Sequence, residues 1–139
     1  MNHKNLSLTG LKKLASKLGV KYKSKNLVIG LVGELGSGKT TFTKNFAKAF
    51  NIKKIKSPTF IILASYILPR KNFYHLDFYR LKHLSELEVV GLNELLTEKN
   101  RTILIEWVDK FPKILKQCDL IIKFEIVNKQ TRNVTISHN

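Results

Sequence analysis

The chain has 139 residues, of which 43% are hydrophobic, 9% aromatic and 25% charged. That composition suits one globular domain with its own core and excludes a disordered chain, a fibrous repeat and a coiled coil. No apolar run approaches the ~20 residues of a membrane span. The formal charge is +15 at pH 7 and lies unevenly, with 13 lysines and the single acid Glu34 in residues 1–60, against a net of +3 in residues 61–139.

Such a basic half suits a polyanionic partner. It also suits a solvated surface, because the 21 lysines outnumber the 4 arginines and fall singly across several elements. The one cysteine, Cys118, excludes an internal disulfide and a cysteine metal site. The first residues, MNHKN, show no apolar stretch and no small-residue cleavage site, so the expected location is the cytoplasm.

In chain order, residues 7–18 predict a helix with Leu8, Leu11, Leu14, Ala15 and Leu18 on one face and lysines on the other. Residues 26–32 (NLVIGLV) predict a strand buried on both sides. Four of the seven glycines, Gly30, Gly33, Gly36 and Gly38, fall within nine residues, and residues 39–50 then predict a helix with Phe42, Phe46 and Phe50 four residues apart. Residues 59–68 and 72–79 predict strands joined at Pro69-Arg70-Lys71, and residues 83–96 a helix broken at Gly91. Residues 102–107 predict a strand, and residues 119–127 and 132–137 a closing strand pair turning at 128–130. Strands separated by helices argue an α/β fold, and the closing pair makes the sheet mixed.

The motif that carries chemistry is Gly33-Glu34-Leu35-Gly36-Ser37-Gly38-Lys39-Thr40, the G-x-x-x-x-G-K-T phosphate-binding loop. Glycines let the backbone curl round a phosphate, and successive N–H groups point inward at the positive end of the next helix. Lys39 is spaced to reach the β- and γ-phosphates and the Thr40 hydroxyl to ligate Mg²⁺. The string meets its structural test, since a buried strand precedes it and an amphipathic helix follows.

Such a loop needs an acid for magnesium at the end of a neighbouring strand. Glu106 closes the apolar run Thr102-Ile103-Leu104-Ile105 and fits, although a surface glutamate at a strand end would look the same. Asp77 is the other candidate. A period of two puts His75, Asp77 and Tyr79 on one strand face, where Asp77 could position the attacking water or hold a metal-bound one. Ser57-Pro58-Thr59 occupies the stretch that senses a γ-phosphate in many such proteins, with Thr59 offering its hydroxyl.

A guanine-specific protein would carry Asn-Lys-x-Asp, and the nearest string, Asn128-Lys129-Gln130-Thr131, lacks the acid. ATP is therefore expected. A small-molecule or nucleoside kinase is the alternative, but it needs a cationic lid, and Arg70, Arg80, Arg101 and Arg132 are scattered. A nucleotide-gated RNA binder is a third possibility.

Residues 33–41 (GELGSGKTT), 57–60 (SPTF), Tyr66, 75–81 (HLDFYRL), Gly91-Leu92 and Glu106-Trp107 are similar in order and spacing to the TsaE (YjeE) family. These are the P-loop ATPases of tRNA threonylcarbamoyladenosine biosynthesis. The resemblance implies a P-loop NTPase-like three-layer α/β fold over residues 1–139, a mixed sheet with helices on both faces. It implies ATP and Mg²⁺ as cofactors and slow intrinsic hydrolysis, stimulated by the partners TsaB and TsaD. That complex forms threonylcarbamoyladenosine beside the tRNA anticodon. By the same resemblance, the nucleotide contacts are residues 34–41, Thr59, Trp107 and Arg132, with Arg132 on the adenine side. The metal is held by Thr40 and Glu106, and the catalytic residues are Asp77 and Lys39. Thr131 stands where the family usually has a glycine before that arginine, and Ser37 where it usually has alanine.

Overall fold

The computed structural model describes residues 1–56 and 62–139. Its elements in chain order begin β1 (Asn2–Leu6), α1 (Leu8–Tyr22), β2 (Leu27–Val32) and α2 (Lys39–Ala47). They continue through β3 (Leu63–Ile67), β4 (Asn72–Asp77), α3 (Ser85–Val89), α4 (Leu92–Thr97) and β5 (Arg101–Glu106). The chain closes with α5 (Pro112–Leu115), β6 (Leu120–Ile126) and β7 (Arg132–His138). Short 3-10 turns at Lys48–Phe50 and Val108–Lys110 continue α2 and follow β5.

Seven strands form one mixed sheet in the order β1-β7-β6-β2-β5-β4-β3. The central four, β6, β2, β5 and β4, are parallel. The outer pairings, β1 with β7, β7 with β6 and β3 with β4, are antiparallel. β2 lies in the middle, and Val28, Ile29 and Leu31 in its apolar run are buried, as a strand covered on both faces requires.

Alternation along the strands sends side chains into two cores, which makes the fold three-layered with helices on both faces. Ile29 and Leu31 of β2, Phe73 of β4 and Ile122 of β6 meet Leu11 and Leu18 of α1 and Phe42 and Phe46 of α2. The four-residue spacing predicted in α2 becomes a ring stack, with centroids of Phe42 and Phe46 5.9 Å apart and of Phe46 and Phe50 5.7 Å apart. On the other face Val28, Tyr74, Leu76 and Ile105 meet Leu87, Leu92 and Ile114 of α3, α4 and α5. The break foreseen at Gly91 is real: its φ of 74° ends α3 and caps α4.

α1 lies against α2 through Gly19. A Cβ there would sit 2.5 Å from the Phe46 carbonyl oxygen and 3.0 Å from Ala49 Cβ. Alanine gains roughly 1 kcal/mol of helix propensity, but backbone oxygen cannot yield without moving a helix. Gly19→Ala is therefore expected to destabilise by about 1–3 kcal/mol in urea melts, because overpacking outweighs propensity. A more stable variant would show that the two helices separate freely.

Three elements depart from expectation, one being α5 (Pro112–Leu115), where no helix was expected. β1 was not foreseen. Its residues lack alternating apolar side chains, yet Asn2 pairs with Thr135 and His3 with Val134 across an irregular register at Asn5, where φ is 53°. β4 ends at Asp77, so Tyr79 lies beyond the strand.

Candidate functional site

The site lies at the carboxyl ends of β2, β5 and β4, where ligands bind in open α/β sheets. The parallel register lines the three ends up, Leu31 opposite Glu106 and Glu106 opposite Asp77. The phosphate-binding loop follows β2, Glu106 closes β5 and Asp77 closes β4. Three stretches far apart in sequence converge because β2, β5 and β4 are neighbours and parallel.

Within the loop, Ser37 N–H donates to the Glu34 carbonyl at 3.1 Å, closing a turn whose tip, Leu35, is exposed. Gly38 then takes φ 111° and starts α2 with no side-chain cap on the helix, leaving its first N–H groups facing the cleft. A side chain at 38 would be strained, and its Cβ would lie 2.6 Å from Leu11 Cδ2.

Lys39 is 5% exposed and folds over its own loop. Nζ donates to the Gly33 carbonyl at 2.5 Å and the Glu34 carbonyl at 2.9 Å, and it lies 4.1 Å from the centroid of the Trp107 ring. Burial holds its pKa below the usual lysine value, and the carboxylates of Glu106, Asp77 and Asp109 oppose that fall. An ammonium held by carbonyls and a ring face is a cation matched to an anionic ligand.

Glu106, 2% exposed, is the hub. Oε2 accepts from the Thr40 hydroxyl at 3.2 Å, and Oε1 lies 3.3 Å from the Thr43 hydroxyl, whose single proton it shares with the Lys39 carbonyl. His75 Nε2 also lies 3.3 Å from Oε1. With Glu106 ionised, Nε2 carries the proton and donates, which leaves the fully buried Nδ1 without a partner among the described residues. Thr40 and Glu106 together present one hydroxyl and one carboxylate, hard oxygen donors of the kind that hold Mg²⁺ beside phosphates and water. Among the described residues no group of three histidine, cysteine or acidic side chains gathers as a metal cage.

Asp77 stands beside this pair. Its Oδ1 accepts from the Tyr79 N–H at 2.9 Å. Burial raises its carboxyl pKa; the Tyr79 N–H bond opposes the rise, and the Glu106 charge adds to it. Having left the strand, Tyr79 brings its ring 5.0 Å from that of Trp107. Trp107 adopts φ 60°, a left-handed backbone that costs a non-glycine residue ~1–3 kcal/mol. This turn lets its N–H donate to the Leu31 carbonyl at 3.1 Å while the ring covers Lys39.

Arg132, at the start of β7, enters the same cleft. It is 7% exposed and shares the cleft lining with Gly36, Thr41 and Leu8. One guanidinium N–H donates weakly to the Leu6 carbonyl at 3.4 Å. Its buried Nε has no partner among the described residues and so remains a donor for a ligand.

Of the residues expected from sequence, Leu35, Gly36, Gly38, Lys39, Thr40 and Thr41 line one cleft with Asp77, Glu106, Trp107 and Arg132. Glu34 and Ser37 shape the loop, Glu34 through its carbonyl and Ser37 as a buried residue. Thr59 lies outside the described residues. Sequence reasoning missed Thr43 and the link from His75 to Glu106. Thr43 is one turn beyond Lys39 and donates to its carbonyl at 3.0 Å, a helical periodicity that the loop motif does not include.

A profile of the family described as threonylcarbamoyl adenosine biosynthesis protein TsaE matches residues 6–134. The chain belongs to the TsaE family. Among curated relatives, the TsaE of Haemophilus influenzae is 32% identical over 126 residues, 90% of this chain and 78% of that protein. The Bacillus subtilis TsaE is 36% identical over 129 residues, again 90% and 78% of the two chains. Among solved structures, Bacillus subtilis YdiB superposes with a TM-score of 0.75 at 28% identity, covering 99% of this chain and 84% of that one. The family places the chain in tRNA threonylcarbamoyladenosine biosynthesis.

Proposed function

We propose that residues 1–139 form a single Mg²⁺-dependent ATPase domain of the cytoplasm that acts with TsaB and TsaD in making tRNA threonylcarbamoyladenosine. The observation that carries this reading is the convergence of Lys39, Thr40, Glu106 and Asp77 at the ends of adjacent parallel strands around a helix N-terminus. tRNA is reached through the assembly with TsaB and TsaD. A kinase finds less support: Arg101 spends its guanidinium on the Leu95 and Leu96 carbonyls at 3.4 and 2.7 Å.

Each residue has a task. The loop N–H groups and Lys39 bind the β- and γ-phosphates, and Lys39 exchanges its carbonyl partners for phosphate oxygens. Thr40 and Glu106 would hold Mg²⁺, which would supply neutralisation of the charge on the phosphates. Asp77 accepts a hydrogen bond from the attacking water and orients it. Its raised pKa makes it a better proton acceptor than an ordinary carboxylate. Trp107 covers one side of the phosphate site, and Arg132 offers its free Nε on the side toward the base.

Trp107 is the only tryptophan, so it reports binding directly. Adding ATP and Mg²⁺ is expected to change its emission saturably, because Lys39 leaves its ring. Lys39→Ala is expected to weaken ATP binding by roughly 10²-fold, the loss of a charged contact to phosphate. Phosphate release should be slow for the chain alone and rise when TsaB and TsaD are added. No emission change together with no heat of ATP binding in calorimetry would end this reading.

A further inference from the structure

Beside the nucleotide cleft lies a second concavity, of about 530 Å³, between α1, α2 and the segment after the 3-10 turn. Its rim carries five lysines, Lys12 from α1, Lys44 from α2, Lys48 from the 3-10 turn that continues it, and Lys53 and Lys54 from that segment. Leu8 and Thr41 line both this concavity and the cleft, so the two sites are contiguous.

α2 explains how the lysines gather. Phe42, Phe46 and Ala47 take the side facing the sheet, which leaves Lys44 and Lys48, one turn apart, on the outer side. Asn45, 6% exposed, holds the Thr41 carbonyl at 2.8 Å through Nδ2 and receives Lys48 Nζ on Oδ1 at 3.1 Å. Lys48 is thereby oriented over the concavity. No carboxylate lines it, and none of the five lysines forms an ion pair among the described residues. Five ammonium groups without a counter-charge repel one another and add nothing to the core.

We infer that this concavity binds the phosphodiester backbone of RNA, next to and independent of the phosphate-binding loop. Three observations favour RNA over an acidic protein surface. Protein interfaces are depleted in lysine and enriched in aromatic residues and arginine. Among the described residues this concavity is lined by five lysines and by neither an aromatic residue nor an arginine. Lysine binds phosphate as a point charge without sequence preference, as a backbone contact requires. The family also works on tRNA, so an RNA is at hand. A direct RNA contact goes beyond tRNA reached only through partner proteins and does not require that the cleft hydrolyse ATP.

The test is fluorescence anisotropy of a labelled tRNA transcript titrated with the full chain between about 50 and 200 mM salt. The wild type should bind with a steep salt slope. Lys44→Gln/Lys53→Gln/Lys54→Gln should weaken binding at least roughly tenfold and reduce the slope by about 2, since each backbone phosphate contributes about 0.7–0.9. A charge-matched control on exposed lysines elsewhere, Lys113→Gln/Lys116→Gln/Lys129→Gln, should bind like the wild type. ATP-dependent Trp107 emission should be unchanged in both variants, which separates this inference from the ATPase reading. Equal losses in the two variants would reduce the effect to diffuse charge and overturn the inference, as would a wild type that binds no tRNA. Polyglutamate or phosphatidylserine vesicles that bind as tightly as tRNA, with the same loss in the concavity variant, would overturn it in favour of a protein or membrane partner.

Discussion

Asp77→Asn is expected to lower ATP turnover by roughly 10²–10⁴-fold, the usual cost of losing a positioned general base, while leaving the ATP-dependent change in Trp107 emission intact. Asparagine keeps an oxygen to accept the Tyr79 N–H, so the end of β4 holds its shape. The same change should raise the melting temperature at neutral pH. Burial raises the carboxyl pKa of Asp77 above its ordinary value, so the folded chain binds that proton more tightly than the unfolded chain. The proton's contribution to stability is complete below the unfolded pKa and is lost as pH rises through the folded one. At neutral pH the ionised carboxylate therefore opposes folding, and the neutral amide removes that opposition. Below about pH 4 both side chains are uncharged, and the two melting curves should converge. Wild-type turnover should fall on acidification through a pKa above the ordinary carboxylate range. Normal turnover in the variant would remove Asp77 from hydrolysis. A melting temperature that drops instead would make it a structural partner of Tyr79.

Much of this arrangement is legible in the sequence because the informative segments are local. The strand into the loop, the helix out of it and the Gly91 break each depend on residues within a few positions, and periodicity with glycine chemistry suffices to find them. β1 escapes because it is an edge strand. Its partners, Thr135, Val134 and Arg132, lie on β7, over 120 residues away, and its exposed face needs no alternation; Met1 N–H₃⁺ on the Ile136 carbonyl at 2.9 Å ties it down. Tyr79 was expected on the strand face with His75 and Asp77. It leaves that face because Asp77 accepts its N–H and bends the chain, a contact that a period of two cannot express. Trp107 shows the same limit. Family resemblance marks it, but its left-handed backbone and its position over Lys39 follow from the register of β2 with β5. The sequence left Glu106 and Asp77 as rival acids for the metal; adjacency of β5 and β4 puts them side by side, with only Glu106 bonded to Thr40.

That division of labour can be tested at Glu106 with two substitutions that separate structure from charge. Glu106→Ala removes the acceptor shared by Thr40, Thr43 and His75. Thr43 retains the Lys39 carbonyl, but His75 would be fully buried with neither ring nitrogen paired among the described residues. Leaving such a group unpaired beside a cavity costs about 2–4 kcal/mol, which for a chain of this size lowers the melting temperature by roughly 8–15 °C. Glu106→Gln keeps the volume and one oxygen acceptor for His75 and should melt close to the wild type. It lacks the charge, so half-maximal ATP hydrolysis should need roughly 10–100-fold more Mg²⁺. Lys39 should also lose its ammonium proton more readily, since the Glu106 charge is the largest influence holding it on. If glutamine leaves the Mg²⁺ requirement unchanged while alanine still destabilises, Glu106 serves His75 alone and the metal acid is Asp77. If both variants melt normally, the buried hydrogen bonds to Glu106 do not stabilise the fold, and its place at the end of β5 reflects the cation alone.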